Sequence, residues 1–188
     1  MNYNIYEELK KQAACFKPLQ LVEISGFNKS LETALSMLNN EEWEESLQEY
    51  ATYLLEAMRR KYPEKWNSSW RYDALLGYAY HITLKYEERY LAYKRSLDKV
   101  SPAPPELLVA LARCCIAPGK PPLSEAEAIL LVKEAIKTTP YVEGIELLKG
   151  LYKSIGNKKE QEYWEDVLSK ISKNGPHLPP LEDFSNEI

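Results

Sequence analysis

Residues 70–102 read WRYDALLGYAYHITLKYEERYLAYKRSLDKVSP, and the apolar letters in this stretch fall three and four apart rather than two apart. A helix with a period of about 3.6 gathers such residues onto one face, so the spacing predicts two helices, roughly Trp70–Leu84 and Glu87–Val100. Ser101-Pro102-Ala103-Pro104-Pro105 ends the second, because proline lacks the N–H that a helix interior needs.

The same period extends in both directions. Upstream, Ile5, Leu9, Ala13 and Phe16 form a stripe that stops at Lys17-Pro18. Residues Pro18–Phe27 read as a short helix or an irregular segment closing at Gly26. Asn28 or Ser30 then caps a helix carrying Leu31, Leu35 and Leu38. A long helix is expected from Glu41 to about Tyr62, with Trp43, Leu47, Tyr50, Leu54, Ala57 and Met58 on one side, acid at its start and Arg59-Arg60-Lys61 at its end. Pro63 closes it, and Glu64–Ser69 reads as a polar link. Downstream, a helix over Glu106–Ile116 runs into Ala117-Pro118-Gly119-Lys120-Pro121-Pro122. Ser124 with Glu127 has the spacing of a capping box, opening a helix that ends near Thr138-Thr139-Pro140. Tyr141–Ile155 and Lys158–Ser172 form a last pair split at Gly156-Asn157. Residues 174–188, with three prolines and no helical stripe, predict a flexible Pro-rich tail beyond a single domain at 1–173. The alternative for this tail is that Leu178, Leu181 and Phe184 dock on an apolar strip, with Glu182 and Asp183 near the basic middle of the chain.

Composition narrows the function classes. The 188 residues are 45% hydrophobic, too apolar for a disordered chain and enough for one packed domain. The net charge of −4 gives no basic stripe for displacing counterions from phosphate, so no nucleic-acid partner is expected. Charge is uneven, with seven basic against ten acidic residues over 1–62 but seven against five over 63–102. No stretch approaches the ~18 apolar residues of a membrane span, and Glu7 and Glu8 sit where a signal peptide would carry its apolar run. The cysteines, Cys15, Cys114 and Cys115, are too few and too badly spaced for a disulfide framework, so a reducing, cytoplasmic setting is expected.

Helices of this length on short links invite a search for repeats. Leu76, Gly77 and Tyr80, followed by Tyr93 and Pro102, resemble a tetratricopeptide repeat, in which Leu-Gly-x-x-Tyr marks the first helix. Asp73 stands where that pattern has Trp or an apolar residue, and Arg89 where it has a small one. Ala128, Val132, Ala135 and Pro140 resemble the second helix and closing proline of another copy. Arg89 to Ala128 is 39 positions, five beyond the ~34-residue period, and the surplus equals the loop Pro118–Pro122. Trp43-Glu44-Glu45-Ser46 with Tyr50 and Tyr53 looks like a third second helix. The units run roughly 28–62, 67–102, 104–140 and 141–172.

The resemblance implies an all-α, right-handed stack of antiparallel helical hairpins, an α-solenoid of about eight or nine helices. It also implies a concave face made by the second, fifth, ninth and twelfth places of each first helix. In the clearest unit these are Arg71, Ala74, Tyr78 and His81; in the next they are Glu106, Val109, Arg113 and Ile116; in the last, Glu143, Glu146, Gly150 and Lys153. The expected partner-binding groove is therefore Arg71, Ala74, Tyr78, His81, Val109 and Arg113, taking a protein or peptide with some acidic character. The family's Lys and Asn clamp for a C-terminal carboxylate is missing. Fourteen tyrosines against three phenylalanines suit narrow helical layers with a wet edge.

No glycine-rich phosphate loop, CxxC pair or GxSxG elbow occurs, so no catalytic, cofactor or metal residues are expected. Cys114 and Cys115 point about 100° apart on a helix and read as packing residues. The expected function is a non-catalytic adaptor. Its rivals are a tetratricopeptide-type secretion chaperone, a structural homodimer built through the ends of the stack, and an enzyme using Tyr78, His81 and Arg71 as acid–base groups.

Overall fold

The computed structural model describes residues 3–39, 44–171 and 175–184. Of these, 74% are helical and none lies in a strand, so the fold class is all-α. Ten α-helices are described, against the eight or nine expected. The chain packs as two compact units where the sequence suggested one domain, residues 1–92 with 184–188 and residues 93–183.

The first unit holds α1 (Tyr3–Cys15), α2 (Pro18–Leu38), α3 (Glu45–Lys61), α4 (Pro63–Asn67), α5 (Trp70–Ile82) and the beginning of α6 (Tyr86–Leu97). α2 lies along α3, α3 against α5, and α1 against both α2 and α3. Their facing residues, among them Val22, Leu31, Met37, Leu54, Leu55, Met58, Leu75 and Leu76, make one continuous core. Polar ties cross the same seams. The Tyr50 hydroxyl donates to the Phe16 carbonyl at 2.8 Å, and the Tyr80 hydroxyl to Glu56 Oε1 at 2.8 Å.

One local expectation is resolved between its alternatives and two need correction. Pro18–Phe27 is helical, and the break at Gly26 is a kink inside α2, with φ at +75° and ψ at 178°. An added Cβ there would meet nothing within 4 Å, so the glycine serves the backbone rather than the packing. The polar link after Pro63 contains the short helix α4, which aims Trp66 inward until only 1% of it is exposed. α3 begins at Glu45; the expected contributions of Glu41, Glu42 and Trp43 lie outside the described residues.

The second unit holds the rest of α6, α7 (Pro105–Ala112), α8 (Glu125–Ala135), α9 (Val142–Ser154) and α10 (Lys158–Lys170). From α7 onward each helix packs on the next in sequence. Leu107, Leu111, Ala128, Val132, Ile145 and Leu148 are buried in this unit. α7 stops at Ala112 instead of Ile116, and Arg113–Ile116 tightens into a 3-10 turn. Cys114 and Cys115 are buried there as small packing residues, while Cys15 is exposed. The predicted capping box is present. Ser124 accepts from the Glu127 N–H at 3.3 Å, and the Glu127 carboxylate accepts from the Ser124 N–H at 2.9 Å. That bonding holds the Glu127 carboxyl below the usual carboxylate range.

Candidate functional site

α5 organises the site. Ser69 caps it, accepting from the Arg71 N–H at 3.2 Å, and its first turn presents Trp70, Arg71 and Tyr72. Tyr72 is braced from two sides. Its ring meets Phe27 edge-on at 5.2 Å and lies 5.6 Å from Trp66. The remaining face of Tyr72 stacks at 5.8 Å and 20° on Phe184, a residue of the tail. The Arg71 guanidinium sits 5.0 Å from the centre of the Phe184 ring and 5.5 Å from that of Trp70. Phe184 is 3% exposed.

Two turns further along α5, Tyr78 is half-buried against the core and His81 is exposed. Arg89 Nη1 lies 2.8 Å from His81 Nδ1. Arginine can only donate, so this nitrogen is the acceptor and is not offered to a substrate. Arg89 is itself buried, its guanidinium 5.5 Å from the Tyr86 ring. This arrangement accounts for an arginine where the repeat pattern has a small residue.

Of the expected groove residues, Arg71, Ala74, Tyr78 and His81 therefore share α5. Ala74 is fully buried, so it backs the surface without forming it. Val109 and Arg113 belong to the second unit; Val109 is buried on α7 and Arg113 is exposed at the start of the 3-10 turn. Burial removes Ala74 and Val109 from any contact with a partner in this arrangement.

In the second unit the tail is coil, as its prolines require, but it is tied at its base. The Val142 N–H donates to the Pro176 carbonyl at 3.0 Å. Glu143 receives the His177 ring at 2.8 Å and the Leu178 N–H at 3.1 Å. Burial works to raise the Glu143 carboxyl, but its own backbone N–H, His177 and Leu178 outweigh that and hold it below the usual range. A depressed folded value means these bonds stabilise fully above the unfolded value, about pH 4.3, and are lost as pH falls through the folded one. Glu143→Gln is therefore expected to lower the melting temperature at pH 7, with the gap to wild type closing below about pH 4. An equal gap at pH 3 and pH 7 would show that the carboxylate does not hold the tail.

The described surface also has a cleft of about 450 Å³ between α1 and α2, lined by Glu8, Gln12, Lys29 and Glu32, and one of about 240 Å³ beside Gln48 and Thr83. Lys29 pairs with Glu32 at 2.9 Å in the first. Among the described residues no three His, Cys, Asp or Glu side chains are grouped to hold a metal ion. No described helix is long and apolar enough to cross a membrane.

Compared with protein-family models, curated proteins and solved structures, the chain matches none of them. The tetratricopeptide likeness rests on the residues quoted above. The repeat pattern assigns no role to Trp66 or Tyr72 and marks Arg89 only as a departure, yet these side chains pack around the residues of the α5 surface. Three aromatic residues within 66–72, Trp66, Trp70 and Tyr72, are the available signal for two of them.

Proposed function

We propose that this chain is a non-catalytic protein-interaction module of the cytoplasm, its helical hairpins stacked in the right-handed tetratricopeptide manner, binding a peptide with acidic character along α5. The observation that carries the reading is the α5 surface. Arg71, Tyr78 and His81 follow one another on a single helix that is otherwise largely buried, Ala74, Leu75, Leu76 and Ala79 completely so. Arginine and tyrosine are the residue types that anchor interfaces, and anchors act best on a rigid support. The succession in which α7, α8, α9 and α10 each pack on their neighbour supports the stacked hairpins.

A random peptide library displayed on phage and selected on the full chain tests the reading. Enrichment of acidic peptides is expected, and Tyr78→Ala should weaken the selected peptides at least about thirtyfold, the low end of what an anchor contributes. The reading fails if nothing is enriched, or if the folded Tyr78→Ala chain binds the selected peptides unchanged.

A further inference from the structure

We propose that Phe184 is a built-in ligand, and that the slot between Arg71 and Tyr72 is a recognition pocket for a partner peptide bearing an aromatic residue directly after acidic ones. This deepens the interaction-module reading and rests on it. The slot holds a side chain that comes from no helix; residues 175–183 lead to it as coil, and Phe184 belongs to the first unit. The Tyr72 and Arg71 contacts to Phe184 address the face of its ring. Tyr72 stacks on it, and Arg71 lies against it as a cation. Any aromatic side chain delivered on an extended segment satisfies the same two contacts.

The walls are fixed without Phe184. Tyr72 is held by Phe27 and Trp66, and Arg71 lies against Trp70. A pocket whose walls are set independently of its occupant loses little on exchange, which separates a binding slot from an ordinary piece of core. The residues ahead of the ring, Glu182 and Asp183, are acidic, whereas residues 63–102, which carry the slot, have an excess of basic residues. Pro179 and Pro180 limit the entropy lost when the segment is held extended. Tied at Glu143, the tail competes as an intramolecular ligand, with an effective concentration that is of order millimolar for a short tether. A partner peptide must displace it, so the tail sets the affinity threshold of the site.

The test uses a fluorescent synthetic peptide of residues 175–188, GPHLPPLEDFSNEI, titrated into the full chain by polarisation. It is expected to bind the Phe184→Ala chain at least tenfold more tightly than wild type, and a peptide with the same substitution should not bind. Arg71→Ala added to the Phe184→Ala chain should weaken binding at least threefold. If Phe184→Ala unfolds the protein, Glu143→Gln with His177→Ala frees the base of the tail instead, and is expected to raise peptide binding several-fold. The inference is overturned if the folded Phe184→Ala chain binds no better than wild type, or if binding ignores the phenylalanine of the peptide. It is also overturned if wild type forms a concentration-dependent dimer that Phe184→Ala abolishes, since the tail would then be exchanged between copies. If library-selected peptides still bind through Tyr78 while the tail peptide does not, this inference fails alone; if neither binds, the interaction-module reading fails with it.

Discussion

Trp66→Ala is expected to destabilise the first unit by about 3–5 kcal/mol, the range for removing a large aromatic side chain from a packed interior. Among the described residues Trp66 is the largest fully buried side chain, and it is 1% exposed. It stands on the five-residue helix α4, which has too few turns to be stable alone and is held in place chiefly by what its tryptophan buries. The truncation therefore leaves a cavity under Tyr72 and also releases α4 from between α3 and α5. At about 4–8 °C per kcal/mol for a unit of this size, the melting temperature should fall by well over 10 °C. Urea titration followed by far-UV circular dichroism reads the effect. Trp70→Ala is the control, because Trp70 is half-buried and its loss should cost much less. A change below about 1 kcal/mol for Trp66→Ala, as for a surface substitution, would mean that α4 is a link and not part of the core.

Trp66 also shows what the sequence conceals. Where a segment is long enough to repeat its apolar residues several times, as over Glu45–Lys61, the period reveals the helix and its buried side, whereas over Trp70–Ile82 it reveals the helix but burial runs unbroken from Tyr72 to Gly77. Punctuation is legible for the same local reason. The capping box at Ser124 and the backbone break at Gly26 each follow from the chemistry of one or two residues. Five residues between Pro63 and the cap at Ser69 contain no period, so their polar letters outweighed the one tryptophan that mattered. Helix ends are similarly obscure. Nothing in Leu107–Ile116 marks the change from α-helix to a 3-10 turn at Arg113.

The candidate site divides along the same line. Arg71, Tyr78 and His81 were legible because a repeat pattern assigns faces by position along one helix. Ala74 shares their numbering logic but is small enough to be covered completely. The pairing of His81 with Arg89 crosses a turn, and the stacking of Phe184 on Tyr72 joins residues more than a hundred positions apart. Loop closure over such a distance leaves no periodic trace in the sequence. Only a composition of acid, proline and one aromatic hints that the tail has somewhere to go.

Close approach of helices gives a prediction whose sign distinguishes packing from propensity. Gly144→Ala and Gly150→Ala introduce the same methyl group into the same helix, α9, and helix propensity alone favours both by up to about 1 kcal/mol. At Gly150 the new Cβ would meet nothing within 4 Å, so that gain should appear in full as a higher urea midpoint. At Gly144 the new Cβ would lie 2.4 Å from Ile136 Cγ2. That methyl branches from the β-carbon of a side chain with little χ1 freedom, so it cannot swing aside, and Val132 Cγ1 stands 3.6 Å from the same point. The first turn of α9 must then move off the end of α8. Such overpacking is expected to destabilise by about 1–3 kcal/mol net, reversing the sign seen at Gly150. Ile136→Ala combined with Gly144→Ala should restore much of the loss, because the first removes the methyl group that the second would strike, and the pair is strongly non-additive. If Gly144→Ala stabilises as Gly150→Ala does, α8 and α9 are not in close contact at that point. The stacked-hairpin reading would then lose one of the helix contacts that support it.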